Sequence, residues 1–257
     1  MSGSLEVRGL NVVFDGFRAI TDLDVTVEPG ELRFLIGPNG AGKTTLIDVI
    51  TGRTRPKTGS VRFDGHELVG RREHQIVRLG IGRTFQTSVV FEQLTVVENL
   101  DLAANFRRPI GALLRRAGGR GPELDEALAL TGLDALAERP AGILSHGQRQ
   151  WLEIGMLLVQ NADVLLLDEP VAGMSTEERE ETGNLLRRIG AERTVVVVEH
   201  DMDFMRAFAT SVTVLARGQV IAEGSVAEVQ ANPKVQEVYL GTAAAGADGI
   251  ELIEENS

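Results

Sequence analysis

Residues 37–44 read Gly37-Pro38-Asn39-Gly40-Ala41-Gly42-Lys43-Thr44 and match the phosphate-binding pattern G-x-x-x-x-G-K-[ST]. The glycines let the backbone curl until several N–H groups point at one anion, and the N-terminus of the following helix adds about half a positive charge. Lys43 would add a full charge at the β- and γ-phosphates, and the Thr44 hydroxyl would reach Mg²⁺. The loop therefore predicts a site for a nucleoside triphosphate.

The flanking sequence supplies the strand and the helix that this motif requires. An apolar run, Leu32 to Ile36, precedes the loop, and a second apolar segment, Thr45 to Ile50, follows it. A Gly-rich turn that matched by chance would not need this context. We therefore interpret the segment as strand, phosphate loop and helix in succession.

Composition and charge narrow the class of protein. The chain has 257 residues, of which 43% are hydrophobic, enough for one large domain or two small ones. Its 26 basic and 37 acidic residues give a net charge of −11, which argues against a nucleic-acid partner. The chain contains no cysteine, and no apolar run approaches the roughly 18 residues that span a bilayer. The N-terminus lacks the pattern of a secretory signal. Any membrane-spanning function would therefore belong to another chain.

The middle of the chain changes from strand-like to helical patterning. Apolar residues recur at helical spacing near Val96 to Ala103, Leu124 to Leu136 and Trp151 to Val159. We interpret residues 87–161 approximately as a helical subdomain inserted into an α/β core. Residues 107–121 carry five arginines and four glycines, and we expect an exposed basic loop that is either simply solvated or in contact with lipid headgroups.

Two wholly apolar runs resume the α/β core after this insertion. Val164 to Leu167 and Val195 to Val198 are typical of strands buried on both faces of a parallel sheet. Ser211 to Glu223 predicts a hairpin, and Ser225 to Glu228 predicts a capping box. Residues 242–257 are small and acidic, so we expect a disordered tail.

Two adjacent carboxylates close the first of these apolar runs. Ligands of open α/β sheets lie at the carboxyl ends of the strands. Asp168 would hold Mg²⁺, and Glu169 would orient or deprotonate the attacking water. His200, after the second run, could donate a hydrogen bond to the γ-phosphate, and Gln86 could contact metal or water. By themselves these polar residues are equally typical of ordinary strand ends.

A second anion-binding helix start lies far along the chain. Ser145 occupies an N-cap position before a helix predicted over Arg149 to Val159, so its hydroxyl and the first N–H groups would face one anion. An ordinary helix cap is the alternative. The chain already has one phosphate-binding loop. The second anion-binding segment therefore suggests that it binds the nucleotide held by another subunit.

Together these motifs resemble those of ATP-binding subunits of ABC transporters, over residues 1–241. The resemblance implies an ABC-type P-loop NTPase fold, α/β with an antiparallel β-subdomain and an inserted helical subdomain, and hydrolysis of ATP with Mg²⁺. It implies head-to-tail dimers, in which the signature segment of one subunit closes on the ATP of the other. It assigns residues 37–44 with Thr45 to the Walker A motif, and Asp168 and Glu169 to the Walker B motif. Gln86 corresponds to the Q-loop and His200 to the H-loop. The signature segment contains Ser145, Gly147 and Gln148, and Phe14 would stack on adenine.

The chain departs from the family pattern at two positions. His146 replaces the first glycine of the signature pair, and Ser175 replaces the aspartate that helps link the two sites across the dimer. A serine can still form hydrogen bonds but carries no charge. The role of Ser175 is therefore left open.

The transported solute is inferred from resemblance alone, because the ATPase does not contact it. The segment Asn232 to Gly241 is similar to the end of ATPases for branched-chain amino acids and for lipopolysaccharide export. Segments 145–156 and 168–174 look like the urea-importer subunit. We therefore expect urea or short-chain amides, with branched-chain amino acids or lipopolysaccharide as alternatives.

The same resemblance implies partners and a location. The partners would be membrane-spanning permeases, a second ATPase that is identical or related, and indirectly a solute-binding protein. The chain would then act at the cytoplasmic face of the inner membrane. A P-loop kinase would not need the Ser145 segment, and a non-transport ABC protein would usually carry two cassettes or a long coiled coil.

Overall fold

The computed structural model describes residues 3–84, 90–105 and 121–239. Within these ranges no helix combines the length and the apolar composition needed to cross a membrane. The strands are β1 (Leu5–Phe14), β2 (Phe17–Val27), β3 (Leu32–Ile36), β4 (Thr58–Phe63), β5 (His66–Glu67), β6 (Ile81–Arg83), β7 (Val164–Asp168), β8 (Thr194–Val198), β9 (Ser211–Ala216) and β10 (Gln219–Gly224). The α-helices are α1 (Lys43–Ile50), α2 (Glu73–Leu79), α3 (Val96–Asn105), α4 (Pro122–Thr131), α5 (His146–Val159), α6 (Thr176–Gly190), α7 (Met202–Phe208) and α8 (Val226–Ala231).

The central sheet brings the predicted catalytic segments to one edge. Its strand order is β10-β9-β3-β8-β7-β6, and all neighbouring pairs are parallel except the β9–β10 hairpin. The carboxyl ends of parallel strands share an edge, so the segments after β3, β7 and β8 emerge side by side. A second, antiparallel sheet has the order β2-β1-β4-β5.

The pleat of the central sheet divides its side chains between two apolar cores. Phe34 and Leu165 face the core that contains the helical elements α3, α4 and α5. Leu35 and Leu166 face the core that the central sheet shares with the antiparallel sheet. Because side chains alternate between the faces of a strand, both faces of β3, β7 and β8 are buried. This explains why these runs are wholly apolar rather than alternating.

The fold class predicted from the sequence is confirmed, with two local corrections. The apolar pattern of Leu23 to Val27 predicts a strand over those residues alone, whereas the observed strand begins at Phe17, because residues 17–27 pair with β1. The helix predicted to begin at Arg149 begins at His146, directly after its cap Ser145. The hairpin at 211–224 and the capping box at Ser225 form as predicted.

Several predictions concern residues outside the described ranges. They are Gln86, the basic segment up to residue 120, and the acidic segment 242–257. The boundaries of the helical subdomain stay a prediction, and α3, α4 and α5 lie within them.

Candidate nucleotide site

The phosphate loop crosses from β3 to α1 in a conformation that only glycine adopts readily. Gly37, Gly40 and Gly42 have φ angles of 149°, 76° and 104°. A Cβ placed at Gly37 would lie 2.1 Å from the carbonyl oxygen of Leu215, and one at Gly42 would lie 2.8 Å from that of Ala19. At Gly40 it would meet nothing within 4 Å. The loop is therefore pressed against β9 and β2 at its ends and is open at its crest.

Lys43 and the start of α1 present positive charge on the loop's inner side. The Lys43 ammonium donates to the carbonyl oxygens of Gly37 at 2.6 Å and Pro38 at 3.2 Å. Burial lowers the pKa of Lys43, while the charges of Glu169 and Asp168 act in the opposite direction. In this described segment no side chain caps α1, and its first turn contains no acidic residue. These features fit an anion such as a nucleotide phosphate at the helix N-terminus.

Asp168 ends β7 and is held by a buried arginine that sequence reasoning missed. The Arg83 guanidinium bonds Asp168 Oδ2 at 3.1 Å and pairs with Asp48 of α1. Burial raises the pKa of Asp168, and the Arg83 charge partly opposes this rise. The available signal for Arg83 was an arginine at the end of a short strand. Its two carboxylate partners, however, lie far away in the sequence. Arg83 thus ties the phosphate-loop helix to the strand that carries Asp168.

The donor set around Asp168 fits Mg²⁺ that is held largely by a nucleotide. In the part of the chain that the structure describes, no group of three or more histidines or carboxylates forms a metal site. Mg²⁺ in nucleotide sites typically uses one or two carboxylates, hydroxyls, waters and the substrate phosphates. The buried Asp168 carboxylate and the exposed Thr44 hydroxyl supply that kind of set.

Glu169 and His200 lie together at the ends of neighbouring strands. Glu169 has a φ of 50°, and its backbone N–H donates to the Val198 carbonyl at 2.9 Å. Glu169 Oε1 lies 3.4 Å from His200 Nδ1, and both side chains are solvent-accessible. A left-handed backbone is uncommon for a residue with a side chain, and such residues cluster at active sites. Both groups can therefore reach a water at the phosphate end of the sheet.

Glu199 is a second buried charged residue beside the site that the sequence did not reveal. Its carboxylate is only 1% exposed and accepts the backbone N–H groups of Val171 at 3.3 Å, His200 at 3.0 Å and Asp201 at 3.3 Å. Burial raises the pKa of Glu199, and the three backbone N–H groups oppose the rise. The residue joins the segment after Glu169 to the one that carries His200.

Replacing Glu199 by Gln should lower the rate of ATP hydrolysis by about ten- to a hundredfold while leaving ATP affinity nearly unchanged. The amide keeps the shape but turns one acceptor into a donor that faces backbone N–H groups, so unfolding free energy should fall by about 1–3 kcal/mol. Turnover, nucleotide titration and urea unfolding measure the three quantities. The exposed Glu192→Gln is the control. Wild-type turnover in the Glu199 variant would contradict this role.

The signature segment begins α5 and contacts residues outside the phosphate loop. Ser145 Oγ accepts the Gln148 N–H at 3.1 Å, and Gln148 Oε1 accepts the Ser145 N–H at 3.0 Å, which forms a capping box. Ser145 is exposed, whereas Gly147 is buried against Glu178. Among the described residues, no polar contact joins Ser145 or Gly147 to residues 37–44.

Two aromatic rings flank the turn between β1 and β2. Phe14, predicted to stack on adenine, is 46% exposed, and its pairing partner across the turn, Phe17, is 67% exposed. Exposed rings of this size favour contact with a planar ligand. Phe17 offers a second stacking surface that the sequence did not single out.

Ser175 has a structural role of its own. It caps α6, where its hydroxyl accepts the Glu178 N–H at 3.2 Å and its own N–H donates to Glu178 Oε2 at 3.0 Å. An uncharged serine at this position is therefore explained locally by helix capping.

Comparisons with known proteins place this arrangement in a family. A model described as "ABC transporter" matches residues 20–172, and one described as "Branched-chain amino acid ATP-binding cassette transporter" matches residues 219–245. The chain is 35% identical over 253 residues to the high-affinity branched-chain amino acid transport ATP-binding protein BraF of Pseudomonas aeruginosa, covering 93% of this chain and 98% of that protein. It is 34% identical over 250 residues to the corresponding LivG protein of Escherichia coli K12, covering 93% and 98%.

A solved structure agrees with these sequence matches. The ADP conformation of MJ1267, an ATP-binding cassette of an ABC transporter, is similar with a TM-score of 0.80 and 32% identity, covering 94% of this chain and 99% of that one. The similarity extends over both sheets and the helical elements, since little of either chain is left uncovered. The chain therefore belongs to the ABC transporter family, as an ATP-binding, ATP-hydrolysing subunit of the branched-chain amino acid transport type.

Proposed function

We propose that this chain energises an importer of branched-chain amino acids by hydrolysing ATP between two ATPase subunits. The observation that carries the proposal is the meeting of Lys43, Asp168 and Glu169 at one sheet edge, while a second anion-binding helix start lies at Ser145. The relatives named for branched-chain amino acid transport support this solute over most of the chain. The urea preference rests on two short segments and has no support from the comparisons.

The chain's own residues would divide the chemistry of hydrolysis among them. Lys43 and the N–H groups of α1 would bind the phosphates, with Phe14 against the adenine. Mg²⁺, when bound through Thr44, Gln86 and Asp168, would neutralise phosphate charge. Glu169 would orient the attacking water and accept its proton, and His200 would donate to a γ-phosphate oxygen.

A second subunit would complete the site. The Ser145 hydroxyl and the backbone N–H groups at the start of α5, including that of Gly147, would form an anion-binding surface, and among the described residues they make no polar contact with the chain's own phosphate loop. In a head-to-tail pair this surface would close on the γ-phosphate held by the partner. Hydrolysis removes the γ-phosphate that both subunits contact. The pair would therefore switch between an ATP-bound, closed state and an open state.

The switch would be transmitted to membrane-spanning permeases at the cytoplasmic face of the inner membrane. A solute-binding protein would deliver the amino acid from the other side, and the second ATPase could be identical or related. A P-loop kinase is disfavoured by the match to the ABC transporter family over residues 20–172. A non-transport ABC protein is disfavoured by the transport names of the relatives.

Uptake by the complete transporter tests the solute. We expect ATP-dependent uptake of leucine into vesicles in which this ATPase is assembled with its permease subunits and a solute-binding protein. Uptake of urea in the same assay, without leucine uptake, would overturn the branched-chain assignment and restore the urea alternative.

Reversing the charge of Glu92 should uncouple transport from ATP hydrolysis. Glu92 is 67% exposed at the side chain, contacts Arg149 at 3.5 Å, and lies in the sequence between position 86 and α3. In Glu92→Lys we expect leucine uptake to fall about tenfold or more with basal ATPase activity intact, because contact with a permease would be lost. The exposed Glu126→Lys on α4 is the control. Unchanged uptake in the Glu92 variant would count against this surface.

A further inference from the structure

The two departures from the family pattern lie at neighbouring contacts between the start of α5 and the segment that leads into α6. His146, which stands at the first glycine position, approaches the carbonyl oxygen of Ala172 with its Nε2 at 3.0 Å. Ser145 Oγ donates to Glu178 Oε1 at 3.0 Å, and Ser175 N–H donates to Glu178 Oε2. The Glu178 carboxylate therefore bridges the start of α5 and the start of α6.

The Glu178 carboxylate lies against the start of α5, beside the Ser145 hydroxyl. A Cβ built on Gly147 would lie 2.7 Å from Glu178 Oε1, so this oxygen lies directly against the Cα of the signature glycine. Hydrogen bonds from the Ser175 N–H and then from the Ser145 hydroxyl lower the pKa of Glu178, which favours its charged form. A negative group thus already lies at this helix N-terminus.

The hydroxyl of Ser145 cannot serve Glu178 and a phosphate at once. A serine hydroxyl has one proton to donate, and here the oxygen already accepts the Gln148 N–H. A fully ionised phosphate oxygen can only accept, so the proton that now points at Glu178 would have to turn to the phosphate. Two anions side by side at one helix start also repel each other.

We propose that Glu178 is a positioning residue of the composite site, which holds Ser145 in the separate subunit and is displaced when the γ-phosphate bound by a second subunit arrives. This inference rests on the proposed function, because it requires the head-to-tail pair. Its consequence is that Glu178 raises the ATP concentration needed to assemble the dimer. Loss of this carboxylate would make assembly easier, which is the opposite of what damage to the fold would do.

The capping box offers the competing explanation. If Glu178 serves only the Ser175 N–H, its contact with Ser145 has no effect on nucleotide-driven assembly. Gln is as good as Glu at this third helical position, so Glu178→Gln keeps the cap and removes the charge. Glu177 is the matched control, since it is an exposed carboxylate in the same first turn of α6.

The experiment measures ATP-driven dimerisation by light scattering in three hydrolysis-deficient proteins, namely Glu169→Gln alone and combined with Glu178→Gln or Glu177→Gln. We expect the ATP concentration at half-dimerisation to fall roughly three- to tenfold with Glu178→Gln and to stay unchanged with Glu177→Gln. ATP binding to the monomer should be equal in all three proteins, because in the part of the chain that the structure describes Glu178 makes no polar contact with the phosphate loop.

The possible results separate this inference from the proposed function. If Glu169→Gln alone stays monomeric at saturating ATP, the composite site itself is wrong. If it dimerises but Glu178→Gln needs as much ATP or more, the role of Glu178 is overturned and the composite site stands. Higher salt should reduce the difference in the ATP concentration at half-dimerisation between the proteins with Glu and with Gln at position 178. A salt-independent difference would contradict an electrostatic origin.

Discussion

Replacing Glu169 by Gln is expected to slow ATP hydrolysis by about two to four orders of magnitude and to accumulate an ATP-bound dimer. A positioned general base contributes a factor of that size, and the amide cannot accept the proton of the attacking water. The side chain keeps its volume, so the contact with His200 and the left-handed backbone at position 169 should persist. Phosphate release at saturating ATP measures the rate, and light scattering measures the dimer.

Two comparisons make this result specific to the site. Glu177→Gln, exposed at the start of α6, removes the same charge and should hydrolyse ATP at the wild-type rate. The His200→Ala variant should also hydrolyse ATP slowly, because His200 lies beside the Glu169 carboxylate. Near-normal turnover in Glu169→Gln would mean that another group accepts the proton, and the assignment of Glu169 would be wrong.

Replacing Gly37 by Ala should reduce unfolding free energy by about 2–5 kcal/mol and abolish ATP binding. The added Cβ would lie 2.1 Å from the carbonyl oxygen of Leu215, and a φ of 149° is strained for any residue with a side chain. Because the obstructing atom belongs to the backbone of β9, relief requires the loop itself to move. Urea unfolding and nucleotide titration measure both losses.

Gly40→Ala is the matched control in the same loop. Its Cβ would meet nothing within 4 Å, so the cost should be confined to the left-handed backbone, about 1–2 kcal/mol. The two alanine variants have the same composition and differ only in what surrounds the new methyl group. Equal stability of the two would show that the close approach of Leu215 to Gly37 is not a constraint on the fold.

Local patterns explain most of what the sequence predicted correctly. The phosphate loop, the cap at Ser145 and the buried strand runs depend on neighbours within a few residues, so their signals are contained in short segments. The sequence pattern places the start of β2 too late, at Leu23 instead of Phe17, and the start of α5 too late, at Arg149 instead of His146. The first depends on pairing with β1, and the second on a cap geometry that extends the helix beyond its apolar periodicity.

Arg83, Glu199 and Glu178, which the sequence patterns did not single out, act through distant partners. Arg83 bonds a residue 35 positions before it and another 85 positions after it. Glu199 reaches back to Val171, and Glu178 reaches back to Ser145. No spacing rule connects such pairs in a single sequence, because tertiary folding brings them together. The preference for urea lacks support from the comparisons for a related reason, since the ATPase residues do not touch the solute and only short segments carried the inference.

The burial of β7 and β8 on both faces has a mechanical consequence for the ATPase cycle. Tilting either strand would disturb two packed cores at once. Asp168 and the backbone of Glu169 are therefore held in fixed positions during the cycle. Displacement during the cycle must then occur in parts that rest on one core only. In this molecule those parts include the helical elements that carry Ser145, and the proposed permease contact at Glu92 lies beside them.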